Sequence, residues 1–221
     1  MKTVKLPLIP IAKKWHAAIL GFLIFIIAYT LLGNFHLVTP TYLPLTFIDR
    51  QIPLLPWTIL IYISDYVFIF FVILNLKDAR AISLLSYRTI VVSTVSFSVF
   101  FLFPTIYPRS ELNSTALWSY LFRSMHFIDA PTNCLPSLHV SLTLLGAWSL
   151  NSFHGWKKHA IYFWAATICI STLTTKQHYV IDVAAGIAVV IMAMWLSRYI
   201  EISEVSIKEK HVSYKEKRKA S

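Results

Sequence analysis

Three short polar stretches interrupt a sequence otherwise built of long apolar runs, and they carry residue types that handle phosphate. In Thr174-Thr175-Lys176-Gln177-His178-Tyr179-Val180-Ile181-Asp182, the histidine and the last aspartate are four residues apart. On a helix that spacing puts His178 and Asp182 on one face, a turn from each other. A carboxylate so placed can hold an imidazole N–H, fix the tautomer, and stabilise the charged ring formed when the other nitrogen reacts. Asp182 stands in an apolar stretch, where an unpaired carboxylate is costly and an ionisable residue is a functional candidate by default. The alternative is that the pair only satisfy each other, as a structural cap on the last helix.

The second stretch is Asn133-Cys134-Leu135-Pro136-Ser137-Leu138-His139. Pro136-Ser137 ahead of an apolar run is a helix-start signal, because the Ser137 hydroxyl can accept from the free N–H groups there. Those donors and the helix dipole favour an anion, and a histidine just inside could give a proton to a leaving group. Equally, His139 could be an interfacial histidine without chemistry. The third stretch is Pro104-Thr105-Ile106-Tyr107-Pro108-Arg109. An arginine fork suits phosphate oxygens, and Lys176 lies two residues before His178. Arg109, Lys176 and Ser137 are therefore the candidate phosphate contacts.

A metal site is the chemical rival, with His139, His178 and Asp182 as ligands. No second carboxylate lies close in sequence, and Arg109 and Lys176 would repel a cation, so no metal and no other cofactor is expected. Asp65, in an apolar run, could serve the site or pair with a hydroxyl. His126 and Asp129 fit loop structure or substrate contact better than catalysis. His16, His36, His154 and His159 sit beside the ends of apolar runs and suit an interface.

The elements that must position these residues are helices in a bilayer. Of the 221 residues, 57% are hydrophobic and only 14% charged, too few charges to cover a soluble surface. A bilayer core needs about 20 apolar residues per helix. The pattern predicts an all-α polytopic protein whose six transmembrane helices lie near 15–33, 54–76, 88–103, 138–153, 160–174 and 179–200. The third to fifth are short, so their ends must lie in the interface or be buried by neighbours. With the N-terminus in the cytoplasm, sixteen Lys and Arg fall inside and four outside, namely Arg50, Arg109, Arg123 and Lys176. That asymmetry puts both termini in the cytoplasm and all three polar stretches at the opposite, non-cytoplasmic face. The first apolar run, Trp15 to Leu32, reads as a retained helix rather than a cleaved signal.

The expected organisation is a cytoplasmic segment 1–14, a six-helix membrane domain 15–200 and a basic cytoplasmic tail 201–221. The formal charge of +10 is clustered between apolar runs and in the tail, which marks a membrane side and contact with anionic lipid, not nucleic acid. Cys134 and Cys169 are not spaced for a metal, and a disulfide between them is not expected. The long outer loop 104–137, rich in proline and aromatics, reads as an ordered cap.

Pro136-Ser137-Leu138-His139 resembles the second motif of the type 2 phosphatidic acid phosphatase superfamily. His178-Tyr179-Val180-Ile181-Asp182, preceded by Ser171-Thr172, resembles the end of its third. Asn133 to His139 together with Lys176 to Gly186 is most similar to the branch of inositol phosphorylceramide synthases and sphingomyelin synthases. The resemblance covers residues 50–200. It implies a six-helix core and a phosphohistidine mechanism without metal: His178 the nucleophile, Asp182 its orienting partner, His139 the acid for the departing alcohol, Arg109 a phosphate ligand. The sequence departs from the family where Leu102 stands at the lysine of the first motif, where proline precedes Arg109 rather than following it, and where Thr172 stands at the arginine of the third. Fewer cations favour a singly charged phosphate diester over a doubly charged monoester.

The functional expectation is a lipid-phosphate phosphatase or phosphotransferase, with membrane lipids as surroundings and substrates. A non-catalytic transporter or lipid-binding protein using the same anion pocket is the alternative, although inverted repeats or broken helices, its usual signs, are not evident. A structural or assembly protein is the third.

Overall fold

The computed structural model describes residues 3–108, 117–128 and 131–203. It is mostly helical: α1 (Lys14–Asn34), α2 (Phe47–Gln51), α3 (Ile59–Asn75), α4 (Ala79–Leu102), α5 (Leu117–Ile128), α6 (Leu138–Ser149), α7 (Trp156–Thr174) and α8 (Val180–Leu196), with four short strands, β1 (Val4–Pro7), β2 (Thr41–Tyr42), β3 (Thr105–Ile106) and β4 (Ile200–Ser203). Among the described residues, four stretches of helix are long and apolar enough to cross a membrane: Ile11–Asn34, Pro56–Asn75, Ala79–Leu102 and Val180–Tyr199. The 12-residue α6 rises only about 18 Å at 1.5 Å per residue. α7 has 19 residues but opens on Trp156-Lys157-Lys158-His159, which shortens its apolar part.

One expected boundary moves. The sequence places the third span at 88–103, whereas α4 begins at Ala79 and takes in Arg80 and the residues up to Arg88 as well. Asp78 starts it by accepting from Ala81 N–H at 2.7 Å. The polar first turns stay helical because their hydroxyls bond back along the helix, Ser83 to Ala79 O at 2.7 Å and Ser86 to Ile82 O at 3.0 Å. Such bonds let Ser sit in an apolar helix without an unsatisfied group. The segment 104–137 contains α5, whose Phe122 and Met125 are buried against Ile59 and Tyr62.

α6 is the centre of the bundle and packs on α3, α4, α7 and α8. Its Val140, Leu145 and Ala147 are completely buried. One core cluster joins Phe68 and Val72 of α3 to Ala147 and to Ile161, Ala165 and Ile168 of α7. Another joins Val92 and Phe100 of α4 to Leu145 and to Val189 and Ala193 of α8. α1 packs on the outside of α4 and leaves Phe22, Leu23, Ile24 and Ile27 exposed. An apolar surface of this kind marks contact with another apolar medium.

β1 and β4 pair in parallel, Val4 beside Ile200 through Pro7 beside Ser203. The expected boundaries at 14 and 200 are thus bridged by a strand pair; residues 1–2 and the tail from 204 lie outside the described residues. Tyr87 OH donates to Pro7 O at 2.6 Å and the Ser83 hydroxyl accepts from Ile9 N–H at 2.8 Å. From this end α8 runs back for 17 residues, about 25 Å, so its first turn lies at the opposite end of the bundle. There β2 pairs with β3, and Thr105 bridges to Asn133.

The α6–α8 contact is close because position 186 is glycine. A Cβ there would lie 2.8 Å from Ser137 O and 3.2 Å from Ser141 Oγ. At Gly146 the nearest obstruction is a side-chain atom, Val72 Cγ2 at 3.1 Å. Gly186→Ala should therefore destabilise by about 1–3 kcal/mol, because a backbone carbonyl cannot yield, and Gly146→Ala by less. Thermal unfolding of the two variants in detergent checks the order.

Candidate active site

Two helix N-termini meet at the end away from the strands β1 and β4. α6 starts at Ser137, which follows the cis Leu135–Pro136 peptide and whose hydroxyl accepts from Val140 N–H at 3.3 Å. Ser137 N–H in turn donates to Asp182 O at 3.0 Å. The Ser141 hydroxyl reaches Gly186 O at 3.1 Å as well as Ser137 O at 2.8 Å. The opening turns of α6 and α8 are thereby tied together, and they carry His139, His178 and Asp182.

His178 Nδ1 lies 3.3 Å from Asp182 Oδ2. Because an ionised carboxylate only accepts, Nδ1 carries the hydrogen and Nε2 is left with its lone pair. The same oxygen accepts from Tyr179 N–H at 2.8 Å, so Asp182 both closes the α8 start and orients the imidazole. Asp182 is completely buried, and its other oxygen has no hydrogen-bond partner among the described residues. The backbone of His178 is fixed from α7: Thr172 O accepts from His178 N–H at 3.1 Å and from Gln177 N–H at 3.0 Å.

His139 is held differently. Its ring stacks on Tyr62, with centroids 4.2 Å apart, and its Nδ1 is 3.2 Å from Tyr62 OH. When Tyr62 donates, the neutral ring carries its proton on Nε2. That nitrogen has no hydrogen-bond partner among the described residues and lies 4.0 Å from Asp65 Oδ2. Asp65 is buried and accepts from the Thr143 hydroxyl at 2.6 Å. The His139 and His178 ring centroids are 6.4 Å apart. A reacting group needs contacts of roughly 3–3.5 Å to each partner, so this separation suits a phosphorus centre approached by one ring while the other serves its leaving oxygen.

Lys176 does not turn toward the histidines. It takes a left-handed backbone conformation, φ 57°, and its ammonium donates to Asp49 O at 2.9 Å and Ile52 O at 2.5 Å. Arg109 lies outside the described residues, as does Asp129. Gln177 Nε2 is 3.3 Å from His126 Nε2, which brings α5 beside the third motif. Of the two positions where the family's cations are replaced, Leu102 is 56% exposed and Thr172 is completely buried.

Asp49 and Tyr62 have no place among the residues that the sequence pattern marks as a site. Asp49 is buried in α2, 131 residues from the Val180 N–H that it accepts at 2.8 Å, and no local spacing connects the two. Tyr62 is one aromatic in an apolar run. Asp65 carries the one legible signal, a charge where none is expected.

Burial pushes the Asp49 carboxyl upward, but bonds from Thr46 and Val180 and the Lys176 ammonium outweigh it and hold it below the ordinary 3.8. Burial raises the hydroxyls of Tyr107 and Tyr179, which pack ring to ring at 4.2 Å, so both stay neutral at physiological pH. A depressed carboxylate contributes stability above its unfolded pKa and loses it as pH falls through the folded value. The stability difference between wild type and Asp49→Asn, measured by urea unfolding in detergent, should be largest at neutral pH and shrink as the pH falls below 3.8.

Among the described residues no three His, Cys, Asp or Glu side chains gather as a metal ion would require. The family model for the PAP2 superfamily matches residues 35–196, a stretch that contains all three motifs and both histidines. No curated protein sequence matches the chain significantly.

Proposed function

The chain belongs to the PAP2 superfamily, and on that premise we propose that it is an integral membrane phosphatase or phosphotransferase acting on a lipid phosphate through a phosphohistidine on His178. Membership and the apolar helices together mark a membrane protein with phosphatase or phosphotransferase chemistry. The observation that carries the finer reading is the pair of unlike histidines. His178 has its Nδ1 hydrogen held by Asp182 at 3.3 Å, which leaves Nε2 as a nucleophile. His139 presents a buried nitrogen with no partner among the described residues, suited to pass a proton.

In the first step the Nε2 lone pair of His178 forms a bond to phosphorus. The bond from phosphorus to the leaving oxygen breaks, and His139, entering this step as the imidazolium, gives that oxygen its Nε2 proton and is left as the neutral ring. Asp182 stabilises the positive charge that the ring acquires. In the second step water or an alcohol gives its proton to His139 and attacks phosphorus, and the N–P bond breaks. Water makes the protein a phosphatase and an alcohol makes it a transferase. No step needs a metal.

The bilayer arrangement follows in the same reading. α1, α3, α4 and α8 are joined by the short α6 and by α7, whose apolar part is shortened by its polar first turn, to make six passes, with both termini cytoplasmic and the histidines at the outer face. Two features support it: the paired strands β1 and β4 lie at the opposite end of the bundle from His178, and sixteen of twenty Lys and Arg fall on the side assigned to the termini. A singly charged phosphate diester is the favoured donor, because neither departed family position supplies a cation and Lys176 is engaged by two carbonyls.

The test offers purified protein labelled phosphatidate and a labelled phospholipid diester in the presence of chelator. Wild type should turn over the diester faster. His178→Ala should fall to the blank, and His139→Ala should lose on the order of 10²- to 10⁴-fold. Activity that vanishes with chelator, or that survives in His178→Ala, contradicts the mechanism, and a preference for phosphatidate contradicts the diester assignment.

A further inference from the structure

We propose that Asp49 and Lys176 form a reciprocal clasp that positions the His178–Asp182 pair, which makes the short helix α2 a working part of the active site although neither residue touches the substrate. This rests on reading His178 as the nucleophile.

The clasp grips both flanks of His178. Two residues before it, the Lys176 ammonium donates to Asp49 O and Ile52 O, the latter one residue past the end of α2. Two residues after it, Val180 N–H donates to Asp49 Oδ1 at 2.8 Å. Each element closes an end of the other: a cation sits on the carbonyls where α2 ends and a carboxylate on the amides where α8 begins, as their dipoles favour. The other Asp49 oxygen accepts from Thr46 N–H at 2.9 Å and from the Thr46 hydroxyl at 2.5 Å. Asp49 is therefore rigidly held and 3% exposed. The grip continues along the chain, with Leu55 N–H donating to Thr174 O and the Thr174 hydroxyl to Thr58 Oγ1, both at 2.9 Å.

The consequence for chemistry is a division of labour between two carboxylates. The first N–H groups of a helix have no partner within it and draw the nearest acceptor. Asp182 Oδ2 is already shared between Tyr179 N–H at 2.8 Å and His178 Nδ1 at 3.3 Å. With Asp49 on Val180 N–H, Asp182 needs to serve only one amide and keeps its hold on the imidazole. Without Asp49, the free Val180 N–H competes for Asp182, and His178 loses the partner that fixes its tautomer. The left-handed turn at Lys176 directs its side chain back to α2, so the cation nearest the nucleophile in sequence aligns the site rather than binding phosphate.

The test compares wild type, Asp49→Ala, Asp49→Asn and Lys176→Met in detergent on the preferred labelled lipid. Asp49→Ala and Lys176→Met should each lower kcat by about tenfold or more while KM stays within about twofold, the pattern of a misaligned reacting group rather than lost binding. Asp49→Asn should keep more of kcat than Asp49→Ala, since its amide oxygen can take Val180 N–H and its amide nitrogen can donate to the Thr46 hydroxyl, while the bond from Thr46 N–H is lost. The Asp49→Ala/Lys176→Met double variant should be no worse than the worse single, because one clasp is broken either way. Overturning results are an unchanged kcat in Asp49→Ala, an Asn variant as poor as Ala, or a raised KM at unchanged kcat in Lys176→Met, which would make the lysine a phosphate ligand.

Should Asp49→Ala fail to elute as folded protein, the Asn and Met variants decide. If wild type acts on no phosphate lipid, the proposed activity falls, and the clasp is judged by diethyl pyrocarbonate modification of His178 read by mass spectrometry. Faster modification in Asp49→Ala with a wild-type rate in Asp49→Asn supports it, and equal rates in all three overturn it.

Discussion

The whole arrangement hangs on the contact between the opening turns of α6 and α8, where Ser137 N–H donates to Asp182 O at 3.0 Å beneath Gly186. Both helices bring free amides to this point, and a buried amide without a partner is costly. Side chains from the same two turns satisfy two of them: Ser137 takes Val140 N–H, Asp182 takes Tyr179 N–H. Asp49 arrives from outside to take Val180 N–H. Because no side chain at position 186 separates the backbones, the ring centroids of His139 and His178 stand 6.4 Å apart. The distance between the two histidine rings is thus set by backbone hydrogen bonds rather than by loops.

Each histidine has a buried carboxylate near it, and the difference in distance matches the two roles proposed for them. At 3.3 Å, Asp182 forms a hydrogen bond with His178 and fixes which nitrogen is free. At 4.0 Å, Asp65 is too far from His139 Nε2 for a hydrogen bond, and Tyr62 provides the ring's stacking surface and its Nδ1 partner. A nucleophile needs one tautomer and a counter-charge, whereas a proton carrier must gain and lose its proton in each cycle. Tight coupling suits the first and loose coupling the second.

The helices were legible because an apolar run long enough to cross a bilayer has few other readings, and α1, α3 and α8 lie where hydropathy puts them. α4 began nine residues earlier than hydropathy allowed, since Ser83 and Ser86 bond to their own helix and hide their polarity from the bilayer. The pairing of His178 with Asp182 was legible from a spacing of four, although His178 lies just before α8 and the pair closes the start of that helix instead of sharing its face. Asp49 was not, because its partner is 131 residues away and its type and neighbours resemble any helix-capping aspartate. Lys176 shows the same limit in reverse. Its charge and its place beside His178 suggest phosphate, and only its left-handed backbone reveals that the ammonium reaches α2 instead.

The most direct measurement is to mix purified protein with substrate, quench within one turnover under alkaline conditions that preserve phosphoramidate bonds, and map the modified peptide by mass spectrometry. A phosphoryl or phosphoryl-alcohol group on His178, absent when Asp182 is replaced by alanine, is the expected result. Turnover at an undiminished rate with no adduct on His178, or an adduct on His139 instead, would contradict the assignment of His178 as the nucleophile.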